Sequence, residues 1–368
     1  MKTSNIRKNI ESGLKNLYPS TLQGNPLRRF NTLVSMVSGL IASQHVSLGK
    51  IADNQQGKIH SLSQVKKNER WLDNGLINAE TFFTPLIIKI LHGVILQEKE
   101  LVFVIDGSIV GRGCQTLMLS VLWKKKAIPV VWKTIQAPKG HFPESDHLQL
   151  LKLLEDILKT LPNVRCVMLG DGEYDGSKWI QQLQNMNFEY VLRTAKDTLL
   201  TNQEQEIFQP KKLEVGKESF LYIPDCKLSS QVKTHFVLWH ERTFKDPVCL
   251  LTNQEIGQMA IGYYRKRFKI ETLFKDFKSE GFNLHKSKMT DPERLNRLII
   301  VCALAYLWLI GMGAAIFTKK SWIKKVYKVQ KDTQNLFTHG KRLYKYLIKN
   351  ELPIPDVFKV FKIIKVSV

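Results

Sequence analysis

The sequence predicts an α/β protein, a mixed β-sheet flanked by helices, with a helical region before it. Two observations carry this reading. Between residues 101 and 194, five short apolar runs of strand length alternate with two amphipathic helical stretches. Before residue 95 the apolar spacing is helical only.

In chain order, residues 1–95 form an N-terminal helical region, with helices over RRFNTLVSMVSGLIAS (28–43) and LSQVKKNERWLDN (62–74) and Ser47 or Ser61 as candidate N-caps. Its basic helical faces suit DNA contact, and suit equally a bundle that packs on the neighbouring domain. Residues 96–196 begin the α/β domain. LVFVID (101–106) reads as a buried strand closed by an Asp-Gly turn, followed by strands CQTLMLSVLW (114–123) and AIPVVWKTI (127–135) around a basic turn at Lys124–Lys126. The helix ESDHLQLLKLLEDILKTL (144–161), the strand VRCVMLGD (164–171), the helix GSKWIQQLQNM (176–186) and the strand FEYVLRT (188–194) complete the series. The order β-β-β-α-β-α-β is that of the ribonuclease H-like fold. Residues 197–255 are polar and turn-rich, with candidate strands at 219–223, 235–239 and 248–252, and read as a β-rich insertion. Helical spacing returns over 256–318. The last segment, 319–368, holds 13 Lys and Arg against 3 Asp and Glu.

Charge narrows the function. The 55 Lys and Arg exceed the 33 Asp and Glu by 22. An excess of that size repels itself unless a polyanion offsets it, so nucleic acid is the expected partner. The five cysteines are scattered without CxxC spacing, which argues against a disulfide framework or a zinc site and for buried thiols in a reducing, cytoplasmic compartment. LIIVCALAYLWLIGMGAAIF (298–317) is 20 uncharged residues and meets the length rule for a membrane span. Its small residues and its isolation late in the chain favour a buried helix, with no membrane partner.

The chemistry rests on carboxylates. Hard divalent cations prefer carboxylate oxygens, and two-metal phosphoryl transfer needs a few of them around ions about 3.5–4 Å apart. Asp106 closes the first strand and Asp171 the fourth, so neighbouring strands would set them side by side; taken singly, each Asp-Gly is also what an ordinary turn looks like. The third element is the helix GYYRKRFKIETLFKDFKSEG (262–281). At about 100° per residue, Tyr264, Arg267, Glu271 and Lys278 fall on one stripe beside an apolar face of Ile270, Leu273, Phe274 and Phe277. Arg267 and Lys278 would clamp phosphate, and Tyr264 could donate a hydrogen bond to it. A solvated helix with a Glu271–Arg267 surface pair would show the same composition.

Tyr264, Arg267, Glu271 and Lys278, in the spacing Y-x2-R-x3-E-x6-K, resemble the signature of the IS4-type DDE transposases of bacteria. VIDGS (104–108), GDGEYDG (170–176) and LLTN (250–253) are similar to segments of that family, as are the β insertion and an apolar helix after the signature. The resemblance implies a nucleoid-associated, cut-and-paste DNA transposase. It would bind terminal inverted repeats and target DNA, act as a homodimer in a synaptic complex, and use two Mg²⁺ or Mn²⁺ ions. It implies Asp106, Asp171 and Glu271 as catalytic metal ligands, Tyr264, Arg267 and Lys278 as DNA contacts, and Trp239, the one Trp of the insertion, as a base-stacking residue. Gly172 departs from the family, where Arg is common, and Glu173 and Asp175 are rival carboxylates near Asp171. The same site would serve a ribonuclease H-like nuclease without strand transfer, and an inactive DNA-binding repressor would keep only the charge.

Overall fold

The computed structural model of the protein describes residues 2–15, 22–55, 59–137, 142–229, 232–318, 335–355 and 357. Most of the basic segment 319–368 lies outside the described residues. The N-terminal helices are α1 (Lys2–Lys15), α2 (Gly24–Ser43), α3 (Leu48–Asp53), α4 (Ser61–Leu72), α5 (Ala79–Phe82) and α6 (Thr84–Glu98). Helix α2 buries Phe30 and every residue from Thr32 to Ile41, so its second half is covered all round rather than on one face. Ser47 stands at the N-cap of α3 without a side-chain cap bond, while Ser61 opens α4 and donates to Asp53 Oδ1 at 2.6 Å.

The sheet follows the expected strands within one or two residues at most ends. Its first half is β1 (Glu100–Gly111), β2 (Cys114–Trp123), β3 (Lys126–Gln136), β4 (Arg165–Gly170) and β5 (Glu189–Thr194). Between them lie α7 (Glu144–Leu158) and α8 (Ser177–Asn185). The order β3-β2-β1-β4-β5, with β2 antiparallel to β1 and β3, and β4 parallel to both β1 and β5, is the ribonuclease H-like arrangement. Strands with both faces covered read as unbroken apolar runs, which is why they were visible in the sequence. The stretch after β5 does not form a separate sheet. β6 (Leu200–Thr201), β7 (Ile207–Phe208), β8 (Ser219–Ser229), β9 (Val232–His240) and β10 (Val248–Thr252) extend the same one to ten described strands, with β10 antiparallel to β5.

Two expectations fail in detail. Strand β1 does not close at Asp106 but runs on to Gly111. Gly107 is therefore no turn residue: a Cβ there would stand 2.8 Å from the Phe142 ring, so close packing explains the glycine. The stretch 262–281 is not one helix either. It divides into α9 (Gly257–Lys266) and α10 (Lys269–Phe277), joined by tight turns in which Arg267 N–H donates to Tyr264 O and Ile270 N–H to Arg267 O.

The membrane-like run lies in α11 (Pro292–Thr318), and its apolar window is wholly buried inside the protein. Helix α11 is apolar all round because it is covered all round. It lies along β3, the outer strand of the sheet, where the Asn296 side chain accepts from Thr134 N–H at 2.9 Å and the Tyr306 hydroxyl donates to Ala127 O at 3.0 Å. Capping that edge removes a free pairing surface. Arg297, almost fully buried, donates to Ile77 O at 3.1 Å and Leu72 O at 2.8 Å, which pins the N-terminal helices to α11. Helix α12 (Leu336–Lys349) crosses α11 so closely that a Cβ on Gly313 or Gly340 would run into the backbone of Leu336 or Leu309. All five cysteines are buried and unbonded to each other, and burial pushes the Cys166 thiol up to about 12.

Candidate active site

Strand register builds the first half of the site. In the parallel β1–β4 ladder Val104 pairs with Leu169. Two residues further along each strand direction stand Asp106 and Asp171, so the two carboxyls emerge side by side. β4 ends at Gly170, and Asp171 then opens a turn in which its carboxylate accepts from Glu173 N–H at 3.1 Å. Asp106 accepts from the adjoining Gly107 N–H at 2.8 Å.

Helix α10 supplies the second half. Ile270, Leu273, Phe274 and Phe277 are buried and seat it against the protein, while Glu271 stays 44 % exposed on its side chain. Glu271 lines the same open cleft, of about 340 Å³, as Asp106 and Asp171. Arg267, Lys275, Lys278 and Ser108 line it as well. Lys278 Nζ donates to Ser108 Oγ at 2.7 Å, and burial lowers its ammonium pKa against the opposing pull of Asp106.

The electrostatics of the cleft centre on Asp106. Burial, with the negative charge of Asp171 next, raises its carboxyl from an ordinary acidic value to about 7; Arg267 and the Gly107 N–H work the other way, and Glu271 adds to the rise. Arg267 is buried and spans the gap between carboxylates, with Nη2 3.0 Å from Glu271 and Nη1 3.8 Å from Asp106. Among the described residues no three His, Cys, Asp or Glu side chains stand close enough together to enclose an ion in this arrangement. The donor set nevertheless fits a hard divalent cation. Three carboxylates face one open cleft, and burial together with the charge of Asp171 raises the Asp106 carboxyl, a cost that a bound cation would offset.

The remaining residues singled out in the sequence divide clearly. Tyr264 is 1 % exposed and does not line the cleft; its ring faces the Arg267 guanidinium at 5.7 Å, so it supports the arginine. Trp239 is 4 % exposed and also lies outside the lining, with the Arg265 guanidinium 5.0 Å over its ring and Phe244 edge-on at 5.4 Å. In this arrangement it offers no open face for stacking. The rival carboxylates are engaged elsewhere: Glu173 accepts from Phe142 N–H at 2.6 Å and Asp175 from the Thr194 hydroxyl at 2.6 Å.

Sequence reasoning passed over Ser108 and Lys275, yet both were within its reach. Ser108 is two residues beyond Asp106 on a strand, hence on the same face, and Lys275 is four residues beyond Glu271 on a helix. It also passed over Arg193. That residue and Lys196 line a second crevice of about 200 Å³, which meets the first at Asp171.

No curated protein matches the chain. In structure it is similar to a piggyBac transposase in a synaptic complex with hairpin DNA, solved by cryo-EM, at a TM-score of 0.45 and 12 % identity over 96 % of this chain and 79 % of that one. Residues 144–308, which carry Asp171, Arg267, Glu271 and Lys278, match the family model described as a transposase DDE domain.

Proposed function

We propose that this protein is a DDE transposase of the cut-and-paste type, which cleaves and joins DNA phosphodiester bonds. The observation that supports it best is the convergence of Asp106, Asp171 and Glu271, from two parallel strands and a helix, on one cleft with Arg267 and Lys278 at its wall. Asp106, Asp171 and Glu271 would hold two divalent ions, Mg²⁺ or Mn²⁺. When bound, such ions activate the attacking hydroxyl and stabilise the leaving oxygen of an in-line displacement.

The chain's own residues contribute position and charge. Lys278 carries an ammonium into the cleft wall, where a DNA phosphate gives it a second partner beside Ser108. Arg267 presents a planar fork that suits phosphate oxygens as well as it suits Glu271. A net charge of +22 supplies the long-range attraction for DNA. Two copies of the chain would bring paired transposon ends together.

A plasmid carrying the protein's own gene with its flanking DNA, incubated with the purified chain and Mg²⁺, tests this reading. Excision and joined products are expected, and D106N, D171N and E271Q should each abolish them while leaving DNA binding largely intact. Cleavage without joined product would point to a nuclease; cleavage unaffected by all three substitutions would refute the site.

A further inference from the structure

A second cluster of basic side chains, two lysines and two histidines, adjoins the cleft, assembled from two segments far apart in the sequence. The first follows α2, which ends abruptly because Gln44 takes a left-handed conformation, φ 52°. The chain then turns through His45, and Val46 N–H donates to Phe282 O at 2.9 Å, fastening this loop beside the segment after α10. That second segment continues through a short 3₁₀ turn, Leu284–Lys286. The result sets His45 and Lys50 next to His285 and Lys286.

The cluster is largely exposed, and its two charged members are both lysines. Lys50, His285 and Lys286 are open to solvent and His45 is half-buried. Besides burial, the groups that act on His45 are Lys50, Lys286 and His285, and those that act on His285 are Lys286 and Lys278, all lowering the imidazole pKa. Among the described residues no carboxylate offsets either imidazole. Elsewhere on this surface arginines meet acids: Arg165 with Glu189 at 2.6 Å, Arg265 with Glu241 at 2.5 Å, Arg294 with Asp73 at 3.0 Å. Burial and the neighbouring lysines hold the two imidazoles in their neutral form, and an anionic ligand would find two ammonium groups and two imidazole N–H donors together.

His45 is also prepared as a donor. Its Nδ1 accepts from Ser47 N–H at 3.0 Å, which leaves the hydrogen of the neutral ring on Nε2. Continuity with the active site comes through Lys278, which both lines the cleft and acts on His285.

We infer that His45, Lys50, His285 and Lys286 form a phosphate shelf that holds the DNA backbone beside the reacting phosphodiester, as the strand leaves the cleft past Lys278. The shelf rests on the proposed DNA-cleaving function and adds where one flank of the strand lies. It is sequence-independent, because it offers only N–H donors and positive charge to phosphate oxygens. Its contribution is a grip that holds the strand in register while the carboxylates act.

The test is a titration of a fluorescent 40-base-pair duplex with the full chain across 0.05–0.3 M NaCl. Each lost phosphate contact lowers the slope of log K against log salt by about 0.9, so K50Q/K286Q should lower it by roughly two and weaken binding roughly tenfold at 0.1 M. K152Q/K159Q, which removes the same charge from α7 and its C-cap, should leave the slope near that of the parent chain. The single reversal K286E, with a thermal melt matching the parent, guards against a folding defect and should also weaken binding and lower the slope. A parent-like slope in both shelf variants overturns the shelf while leaving the DNA function standing. A parent chain that binds no DNA, or binds without salt dependence, overturns both.

Discussion

Asp106 and Asp171 stand opposite one another because Val104 and Leu169, two residues earlier on each strand, are registered partners in a parallel ladder. This backbone relationship forces two negative charges together in a partly buried place. Burial, with the charge of Asp171 next, raises the Asp106 carboxyl to about 7. An unfolded Asp titrates near 4, so between about pH 4 and 7 the native chain holds a proton that the unfolded chain has lost. Native stability must therefore fall as pH rises through that window and level off above it. With about three pH units at stake, the ceiling is about 4 kcal/mol.

The corresponding prediction concerns D106N. In chelator-containing buffer at pH 8 this variant should be more stable than the parent chain, by about 2–4 kcal/mol, although it is inactive. At pH 4 the two should converge. Urea unfolding midpoints at the two pH values measure this, and equal midpoints for parent and variant at pH 8 would show that the two aspartates do not strain the fold.

The sheet was legible and the helix break was not, for physical reasons that particular residues display. Strands such as Leu101–Ile105 and Cys166–Leu169 are covered on both faces and so appear as continuous apolar runs. Asp171 looked like a turn and is one, because β4 ends beside it. Asp106 looked like a turn and is not, because the requirement for glycine at 107 comes from Phe142, 35 residues away in the chain and invisible to any local pattern. The break between α9 and α10 carries no Pro or Gly; Arg267 and Phe268 simply adopt a tighter turn. A stripe projected across that break overstates what Tyr264 can reach, whereas Arg267 and Glu271, four residues apart, still meet. The His45–His285 cluster depends on one tertiary hydrogen bond and had no sequence signal.

The helix that bears Glu271 is anchored by a buried ion pair. Lys126 Nζ meets Asp276 Oδ2 at 2.5 Å with both side chains almost fully enclosed, and Asn335 donates to both Asp276 oxygens at 3.1 and 3.3 Å. Burial raises the Asp276 pKa and lowers that of Lys126, so enclosure outweighs their attraction on both sides of the pair. Removing one partner strands the other as an uncompensated charge. D276L and K126M should each cost about 3–5 kcal/mol, and the double variant K126M/D276L should recover much of that loss. Strict additivity of the two single effects in denaturant unfolding would contradict the pairing.

The close crossing of α11 and α12 makes a steric prediction. Gly313 and Gly340 each lie against the opposing helix backbone with no room for a methyl group. G313A and G340A should push the helices apart and lower stability by about 1–3 kcal/mol or more, despite alanine's better helix propensity. An exposed glycine such as Gly75, with nothing near its added Cβ, serves as the reference: G75A should change little. A neutral G340A would mean that α12 is free to move away from α11 without loss.

Arg267 sets the charge balance of the cleft, and its removal should be visible without any assay of catalysis. Its guanidinium opposes the rise of the Asp106 carboxyl and bonds Glu271 at the same time. In R267Q the opposing charge is lost while a hydrogen-bonding side chain remains, so the Asp106 carboxyl should titrate at a higher pH than in the parent. R267K keeps the charge but not the fork, and should fall between the two. Carbon-detected NMR of labelled aspartate, followed from pH 5 to 9 with D106N to assign the signal, reads this directly. A titration midpoint that R267Q leaves in place would mean that Arg267 does not act on Asp106 in solution, and its proposed part in receiving the phosphate would lose its electrostatic basis.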